Sequence, residues 1–319
     1  MTTPSPNRRF SPPPVGADPR RFDPRVVLTV AGSDSGGGAG IQADLRTFAA
    51  FGVHGATAIT AVTAQNSAEV RAVHALPPEV VDAQIGAVLA DLAVAAVKTG
   101  MLATTEIADV VAARARAGEL PRLVVDPVLV ASSGGRLFDA SFESAYLDLL
   151  FPVAAVVTPN LAEAEVLLGR QLSTLDDMAG AAEELAKTGV PTVVVKGGHL
   201  AGADAVDVVW HAGGVTELRR PWVSTTNNHG TGCSFASAIA AGLARGCSVP
   251  EALAGAKDFV TTALAGGAGW RLGAGHGPID HLGWTETTAG RGAGAPRTGG
   301  AWGWGPRRGG EAARDKETP

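Results

Sequence analysis

Two glycine-rich stretches carry the first hint of chemistry. Residues 229–242, HGTGCSFASAIAAG, run a tight turn into a helix of small residues. The free N–H groups and the dipole at such a helix start form a socket for an anion. The first polar side chain past its second glycine is a thiol, Cys233, where a carboxylate base or a lysine is the usual companion of a phosphate. Residues 32–45, GSDSGGGAGIQADL, also follow an apolar run and open a helical pattern. The spacing Gly38-x-Gly40-x-x-Ala43 matches a loose dinucleotide fingerprint. The ribose-binding acid about 20 positions on is missing, however, Glu69 being the nearest acid beyond. Glycines at 36, 37, 38 and 40 exceed what a turn needs and predict close approach of the backbone to a ligand. No G-x-x-x-x-G-K-[ST], G-x-S-x-G or H-E-x-x-H motif occurs, so P-loop, hydrolase-elbow and zincin chemistry are excluded.

These motifs need elements to hold them. Short β-branched runs at 26–32, 56–62, 95–100, 123–128, 154–159 and 192–198 read as strands apolar on both faces, as in a buried parallel sheet. Helical patterns fill the gaps at 40–51, 78–91, 104–117, 140–150, 161–168 and 175–188. The last has Thr174 as N-cap, Asp176 and Asp177 in its first turn, and Gly189 as its stop. Residues 205–211 and 215–223 form a hairpin at the sheet's edge, and helices at 231–245 and 250–266 follow. The alternation predicts a doubly wound α/β sheet with helices on both faces. Ligands of such a sheet collect at the carboxyl ends of its strands. The segments AGSDSGGGAG, TAQN, KTGM, DPV, TPNLAE, KGGH and NNHGTGC all fall there, which gathers scattered motifs into one site.

Composition bounds the rest. The chain has 319 residues, 45% of them hydrophobic, and a net charge of −5. That length allows one large α/β domain or two small ones, and the composition describes a globular protein with a large core and argues against nucleic-acid binding. Two cysteines, Cys233 and Cys247, give neither a disulfide framework nor a metal-binding Cys pair, which fits a reducing cytosol. Asp82 and Asp91 break the longest apolar run, Val80–Val97, so no membrane span is expected. The Pro-rich residues 1–24 read as a disordered leader without a secretory h-region. Residues 284–319, rich in Gly, Arg and Pro, read as a flexible tail, leaving 25–283 as the folded domain.

Together the motifs AGSDSGGGAGIQADLRTF, TAVTAQN, KTGMLA, DPVLVASSG, TPNLAEAEVL, VKGGH and HGTGCSFASAIAAGLA resemble the ribokinase-like superfamily. Within it, the chain resembles the hydroxymethylpyrimidine/phosphomethylpyrimidine kinases of thiamine biosynthesis, over residues 26–283. The resemblance implies ATP-dependent phosphorylation of 4-amino-5-hydroxymethyl-2-methylpyrimidine, then of its monophosphate. It also implies Mg²⁺ and a homodimer.

Carried onto this sequence, the resemblance makes Gln65 the pyrimidine reader. Its amide offers one donor and one acceptor to an aminopyrimidine edge, as Gln does to adenine. Gly32, Thr63, Met101 and Val128 fall in the rest of that pocket, and Asp44 either orients the first loop or is an ordinary first-turn charge. Asn160 and Glu163 form the N-x-x-E pattern placed near Mg²⁺ and phosphate, with Asp126 adding charge; the same spacing also builds a helix cap. Lys196, at the end of an apolar strand, neutralises phosphates. Gly230, Thr231, Gly232 and Cys233 line the anion socket. His199 and His229 are placed to touch phosphate, and neither is assigned a catalytic role.

Sugar kinases of the superfamily carry an aspartate base where Cys233 stands. Phosphoryl transfer has a loose transition state, so its nucleophile needs little activation. A phosphate monoester, with a second pKa of about 6, needs no base at all. A carboxylate beside it would repel it by about 4 kcal/mol per charge pair at ~4 Å and an effective dielectric of ~20. A neutral thiol avoids this, and a helix start is expected to ease its ionisation. Competing readings are a pyridoxal or dual-specificity kinase, a sugar kinase, a non-catalytic nucleotide- or pyrimidine-binding protein, and a dinucleotide-dependent oxidoreductase. The AQN segment favours the aminopyrimidine.

Overall fold

The apolar runs pair into one sheet in the computed structural model, which describes residues 23–129, 140–198 and 203–285. Its strands are β1 (Val26–Ser33), β2 (His54–Gln65), β3 (Val70–Ala75), β4 (Val94–Thr99), β5 (Val124–Val125), β6 (Val156–Val157), β7 (Thr192–Lys196), β8 (Asp204–His211) and β9 (Gly214–Pro221). Their order is β3-β2-β1-β4-β5-β6-β7-β8-β9. The strands from β2 to β7 are parallel, and β3 and the β8–β9 hairpin add antiparallel edges.

The helices are α1 (Gly40–Ala50), α2 (Pro78–Asp91), α3 (Thr105–Arg116), α4 (Ala140–Ala145), α5 (Leu161–Leu168), α6 (Leu175–Ala186), α7 (Thr231–Ala244) and α8 (Val249–Gly267). Helices α2 to α6 pack on one face around Leu28, Val97, Val125, Val157 and Val195. Helices α1, α7 and α8 pack on the other around Val27, Ala96, Val124, Val156, Val194 and Val209. This is the doubly wound sheet expected from the sequence.

Side chains alternate between the faces of a strand. Two residues along from the second apolar row, on the same face, stand Thr29, Lys98, Asp126, Thr158, Lys196 and Asp207. Hydrophobic packing thus gives way to a polar row at the carboxyl edge, beneath the start of α7.

Several bounds differ from expectation. The strands expected over 123–128 and 154–159 shorten to two residues each, because Pro127 and Pro159 donate no ladder hydrogen bond. The helix expected over 140–150 breaks into α4, a π turn (Tyr146–Leu150) and a 3₁₀ turn (Phe151–Val153) that contains Pro152. Strand β3 is an addition to the expected set; its residues are mostly exposed, so it lacks the apolar run by which buried strands are recognised. Thr174 caps α6 as expected, in a reciprocal capping box with Asp177.

Candidate active site

The first loop is organised by Asp34. Its carboxylate accepts the backbone N–H groups of Gly36, Gly38 and Ala39 at 2.8–2.9 Å and faces His229 Nε2 at 3.1 Å. Burial works to raise this carboxyl, but the His229 contact and the backbone donors outweigh it and hold the group below its usual range. His229 comes from the segment before α7, so this contact joins the two glycine-rich stretches. The imidazole fills the space beside Gly38 where a side chain would stand, and the Gly38 carbonyl fills that beside Gly230. Gly40, at φ 56°, lies against the Gly32 carbonyl. Gly38 and Gly40 thus serve close approach within the protein.

The end of β2 is clamped to that loop. Ser35 Oγ donates to the Gln65 carbonyl and accepts its N–H, both at 2.8 Å. Thr63 Oγ1 donates to the Ser33 carbonyl at 2.8 Å. The Gln65 amide nitrogen lies 3.3 Å from His229 Nε2, and its Oε1 accepts from Thr63 at 3.3 Å. Met101 packs over Gly32, its methyl 2.5 Å from where a Cβ would be, and Val128 is half-buried just past β5. Gly32, Thr63, Gln65 and Met101 therefore border one region of the carboxyl edge.

Asp44 corrects an expectation. It is fully buried and pairs with buried Lys98 through both oxygens, at 2.9 and 3.0 Å. It also accepts from Thr29 Oγ1 and Ser237 Oγ, each at 2.6 Å. Its bonds go to β1, β4 and α7 rather than to the first loop, and they anchor α1 and α7 to the sheet. Burial alone would depress Lys98, but Asp44 overrides this and raises it.

Lys196 Nζ donates to Asp126 Oδ1 at 2.8 Å, and Thr158 Oγ1 donates to the same oxygen at 3.1 Å. Burial opposes the lysine's charge, and Asp126 and Glu163 more than restore it. Asn160 and Glu163 form the reciprocal cap of α5: Asn160 Oδ1 accepts the Glu163 N–H at 2.9 Å, and Glu163 Oε2 accepts the Asn160 N–H at 2.7 Å. The capping alternative is thus realised. Glu163 is nevertheless buried beside charge. Burial, with Asp126 adding to it, pushes its carboxyl up to about 8 despite Lys196 and the donors at Asn160 and Leu129.

Gly230, left-handed at φ 84°, begins α7. Thr231 Oγ1 donates to the Asn228 carbonyl. The N–H groups of Gly232 and Cys233 head the helix without an intrahelical acceptor. A side chain at Gly232 would stand 3.1 Å from Lys196 Nζ, so the glycine lets the lysine reach the socket. Cys233 keeps a partly open surface, yet its thiol is set in dense protein among Lys98, Asp126 and Asp44. Burial pushes it up to about 11, and Lys98 recovers only part of the shift. The shift runs opposite to the easier ionisation expected of a thiol at a helix start, because burial, with Asp126 and Asp44 adding to it, outweighs Lys98 and the Gly40 N–H.

Lys98 and Asp34 are buried polar groups of this edge that the sequence reading does not single out. Lys98 carries the same signal as Lys196, a charge inside an apolar strand; Asp34 carries that of an acid opening a glycine loop. His281 is a further addition. Its Nε2 lies 2.8 Å from Ser234 Oγ in α7, and burial lowers it to about 4. His199, residues 1–22 and residues 286–319 lie outside the described residues. A cavity of about 390 Å³ behind the first loop is lined by Asp34, Arg46, His229 and residues from Trp270 to Trp284. Cys233, Lys196 and Asp126 do not line it, so the chemistry is assigned to the charged row instead.

The arrangement gathers the cations Lys98 and Lys196, the N–H groups at the head of α7, the Cys233 thiol and the Gln65 amide at the carboxyl edge of one sheet. The family model for phosphomethylpyrimidine kinase matches residues 34–280. The chain belongs to the phosphomethylpyrimidine kinase family. It is a phosphotransferase of that family, 48% identical over 261 residues to the hydroxymethylpyrimidine/phosphomethylpyrimidine kinase of Streptomyces coelicolor, covering 82% of this chain and 95% of the relative. Among solved structures it is similar to an ADP complex of Bacillus subtilis pyridoxal kinase, with TM-score 0.77, 37% identity, and coverage of 82% and 99%. It is also similar to the phosphomethylpyrimidine kinase of Clostridium difficile 630, with TM-score 0.67, 38% identity, and coverage of 75% and 99%. Among the described residues, no helix is long and apolar enough to cross a membrane.

Proposed function

We propose that this kinase phosphorylates the hydroxymethyl group of 4-amino-5-hydroxymethyl-2-methylpyrimidine with ATP, and then the monophosphate to the diphosphate, for thiamine biosynthesis. The observation that carries the reading is that a thiol, Cys233, and not a carboxylate stands at the head of α7, with Lys196 close by. A site built for an alcohol alone has no need to avoid a carboxylate there. One that must also admit a dianionic monoester does.

Gln65 orients the aminopyrimidine between the first loop and Met101. Lys196 and the N–H groups of Gly232 and Cys233 stabilise the charge of the transferring phosphoryl group. The first acceptor is an uncharged hydroxyl and the second an ionised phosphate. With a loose transition state neither requires a pre-formed thiolate. Cys233 is a small neutral wall that both acceptors tolerate, and it lies at the reacting end of either.

Mg²⁺ would be held by ATP phosphates and water, with Asn160, Glu163 and Asp126 as outer contacts; when bound it neutralises phosphate charge. The donor set fits an outer role only, because the Glu163 carboxyl, pushed up to about 8, is mostly uncharged at neutral pH. The Asn160 and Glu163 oxygens are engaged in the α5 cap, and Asp126 in the Lys196 pair. Among the described residues, no group of three or more His, Cys, Asp or Glu side chains is arranged to hold a metal unaided. A hydrated Mg²⁺ needs no such cage. The reading further includes a homodimer working in the cytoplasm, with the kinase domain at 25–283. The two free cysteines are consistent with a reducing compartment.

Pyridoxal kinase is the second reading, favoured by the similarity to the B. subtilis enzyme. ADP release with Mg·ATP, run on the pyrimidine alcohol, its monophosphate and pyridoxal with product identification, separates the two. Turnover of both pyrimidines with pyridoxal slow is expected. Turnover of pyridoxal alone would overturn the reading of Gln65.

A further inference from the structure

Three cation–carboxylate pairs, buried but for the half-buried Lys196, stand on the α7–α8 face of the sheet: Lys98–Asp44 at 2.9 Å, Lys196–Asp126 at 2.8 Å and Lys257–Asp207 at 2.7 Å. The first two flank Cys233, and the proposed phosphoryl transfer leaves the third unused. Lys257 projects from α8 and is 6% exposed; Asp207, on β8, is 4% exposed.

Asp207 lies directly opposite Lys196 in the β7–β8 pair. Residues so paired project to the same face, within reach of each other. Yet the hydrogen bonds of Asp207 go elsewhere. Its Oδ1 accepts the N–H of Gly197 at 3.1 Å, and its Oδ2 accepts from Lys257 Nζ. Lys196 pairs instead with Asp126, from the other side.

We propose that Lys257 is a positioning residue that occupies Asp207 and so keeps Lys196 available to the nucleotide phosphates. The reason is charge. A buried carboxylate deprived of its cation seeks the nearest other one. For Asp207 that cation is Lys196, its cross-strand neighbour. Lys196 held by both Asp126 and Asp207 forms a trio of net charge −1, which repels a triphosphate. With Lys257 in place, Asp207 is neutralised from the α8 side, and its second oxygen pins the Lys196–Gly197 turn. The inference rests on the reading of Lys196 as the phosphate cation.

The test is the affinity of the purified kinase for adenosine 5′-(β,γ-methylene)triphosphate, measured calorimetrically alongside Tm. Lys257→Met is expected to weaken binding about tenfold. The double variant Asp207→Asn/Lys257→Met is expected to return to within about twofold of the parent, since Asn keeps an acceptor for Gly197 and removes the competing charge. Unchanged affinity in Lys257→Met would overturn the proposal. So would a double variant as weak as the single one, which would reduce Lys257 to packing. Should Lys257→Met fail to fold, Asp207→Asn alone carries the test: it is expected to bind no more weakly than the parent, and weaker binding would overturn the proposal. Lys196→Met separates the two layers. If it binds like the parent, the reading of Lys196 falls and this inference with it. If it binds weakly while Lys257→Met does not, only this inference falls.

Discussion

Gly230 meets the carbonyl oxygen of Gly38 so closely that a Cβ on Gly230 would collide with it. The first glycine-rich loop and the start of α7 are therefore built against each other, and the His229–Asp34 contact closes the same seam. Gly230 is also left-handed at φ 84°. Gly230→Ala is expected to lose at least ~1–3 kcal/mol from backbone strain alone and to force the loops apart. Thermal unfolding and turnover on both acceptors should fall together. A variant that keeps turnover would show that the seam does not set the site.

Asp44 and Gln65 are expected to fail in different ways. Asp44→Asn leaves Lys98 buried without its counter-charge, at a cost of about 3–5 kcal/mol. That loss should appear in denaturant unfolding. Gln65→Ala removes a half-buried reader, so it should raise KM for the pyrimidine at least about tenfold with little change in unfolding, the loss expected of a hydrogen-bonding reader. A stable Asp44→Asn with a raised pyrimidine KM would give Asp44 a role in substrate binding instead.

Two buried groups give stability a pH dependence of opposite sign. Glu163 titrates at about 8 when folded, above the ordinary 4.5, so the folded chain binds the extra proton between those values. Stability therefore falls as pH rises through that window. His281 is depressed to about 4 from 6.5, so stability falls as pH drops from 6.5 towards 4. From pH 6.5 to 8 the Glu163 contribution acts without that of His281. Glu163→Gln should flatten the decline there. It should gain on the parent at pH 8 by a few kcal/mol at most, since each tenfold change in proton affinity is worth about 1.4 kcal/mol. Denaturant unfolding at several pH values checks it; an unchanged slope would contradict it.

The Cys233 thiol, at about 11, should be slow to alkylate at neutral pH. Iodoacetamide labelling followed by mass spectrometry should show its rate still climbing above pH ~9, where a free thiol of pKa about 8.5 has begun to level off. A plateau near pH ~7 would mean that the thiolate is populated after all.

The fold was largely legible because its central strands are apolar on both faces and its helices carry ordinary caps. The exposed edge strand β3 lacked that signal, and the prolines at 127 and 159 trimmed strands that the apolar runs prolonged. For the site, the ends of the strands were readable and the partners across the fold were not. Asp44 looked like a loop or surface charge because its counter-ion lies 54 residues away, and the thiol looked ionisable because its desolvation is a property of packing. The Asn160–Glu163 spacing admitted a cap or a ligand pair, and sequence alone could not show that the cap forms on a buried, charge-coupled glutamate.

The central claim is that one thiol-walled site serves an alcohol and a phosphate monoester. Its most direct test is ADP release by the parent and by Cys233→Asp, on the pyrimidine alcohol and on its monophosphate. The account predicts that the parent turns over both, and that the aspartate costs the monoester step at least about tenfold more than the alcohol step, through charge repulsion in a desolvated site. Equal losses in the two steps would contradict it.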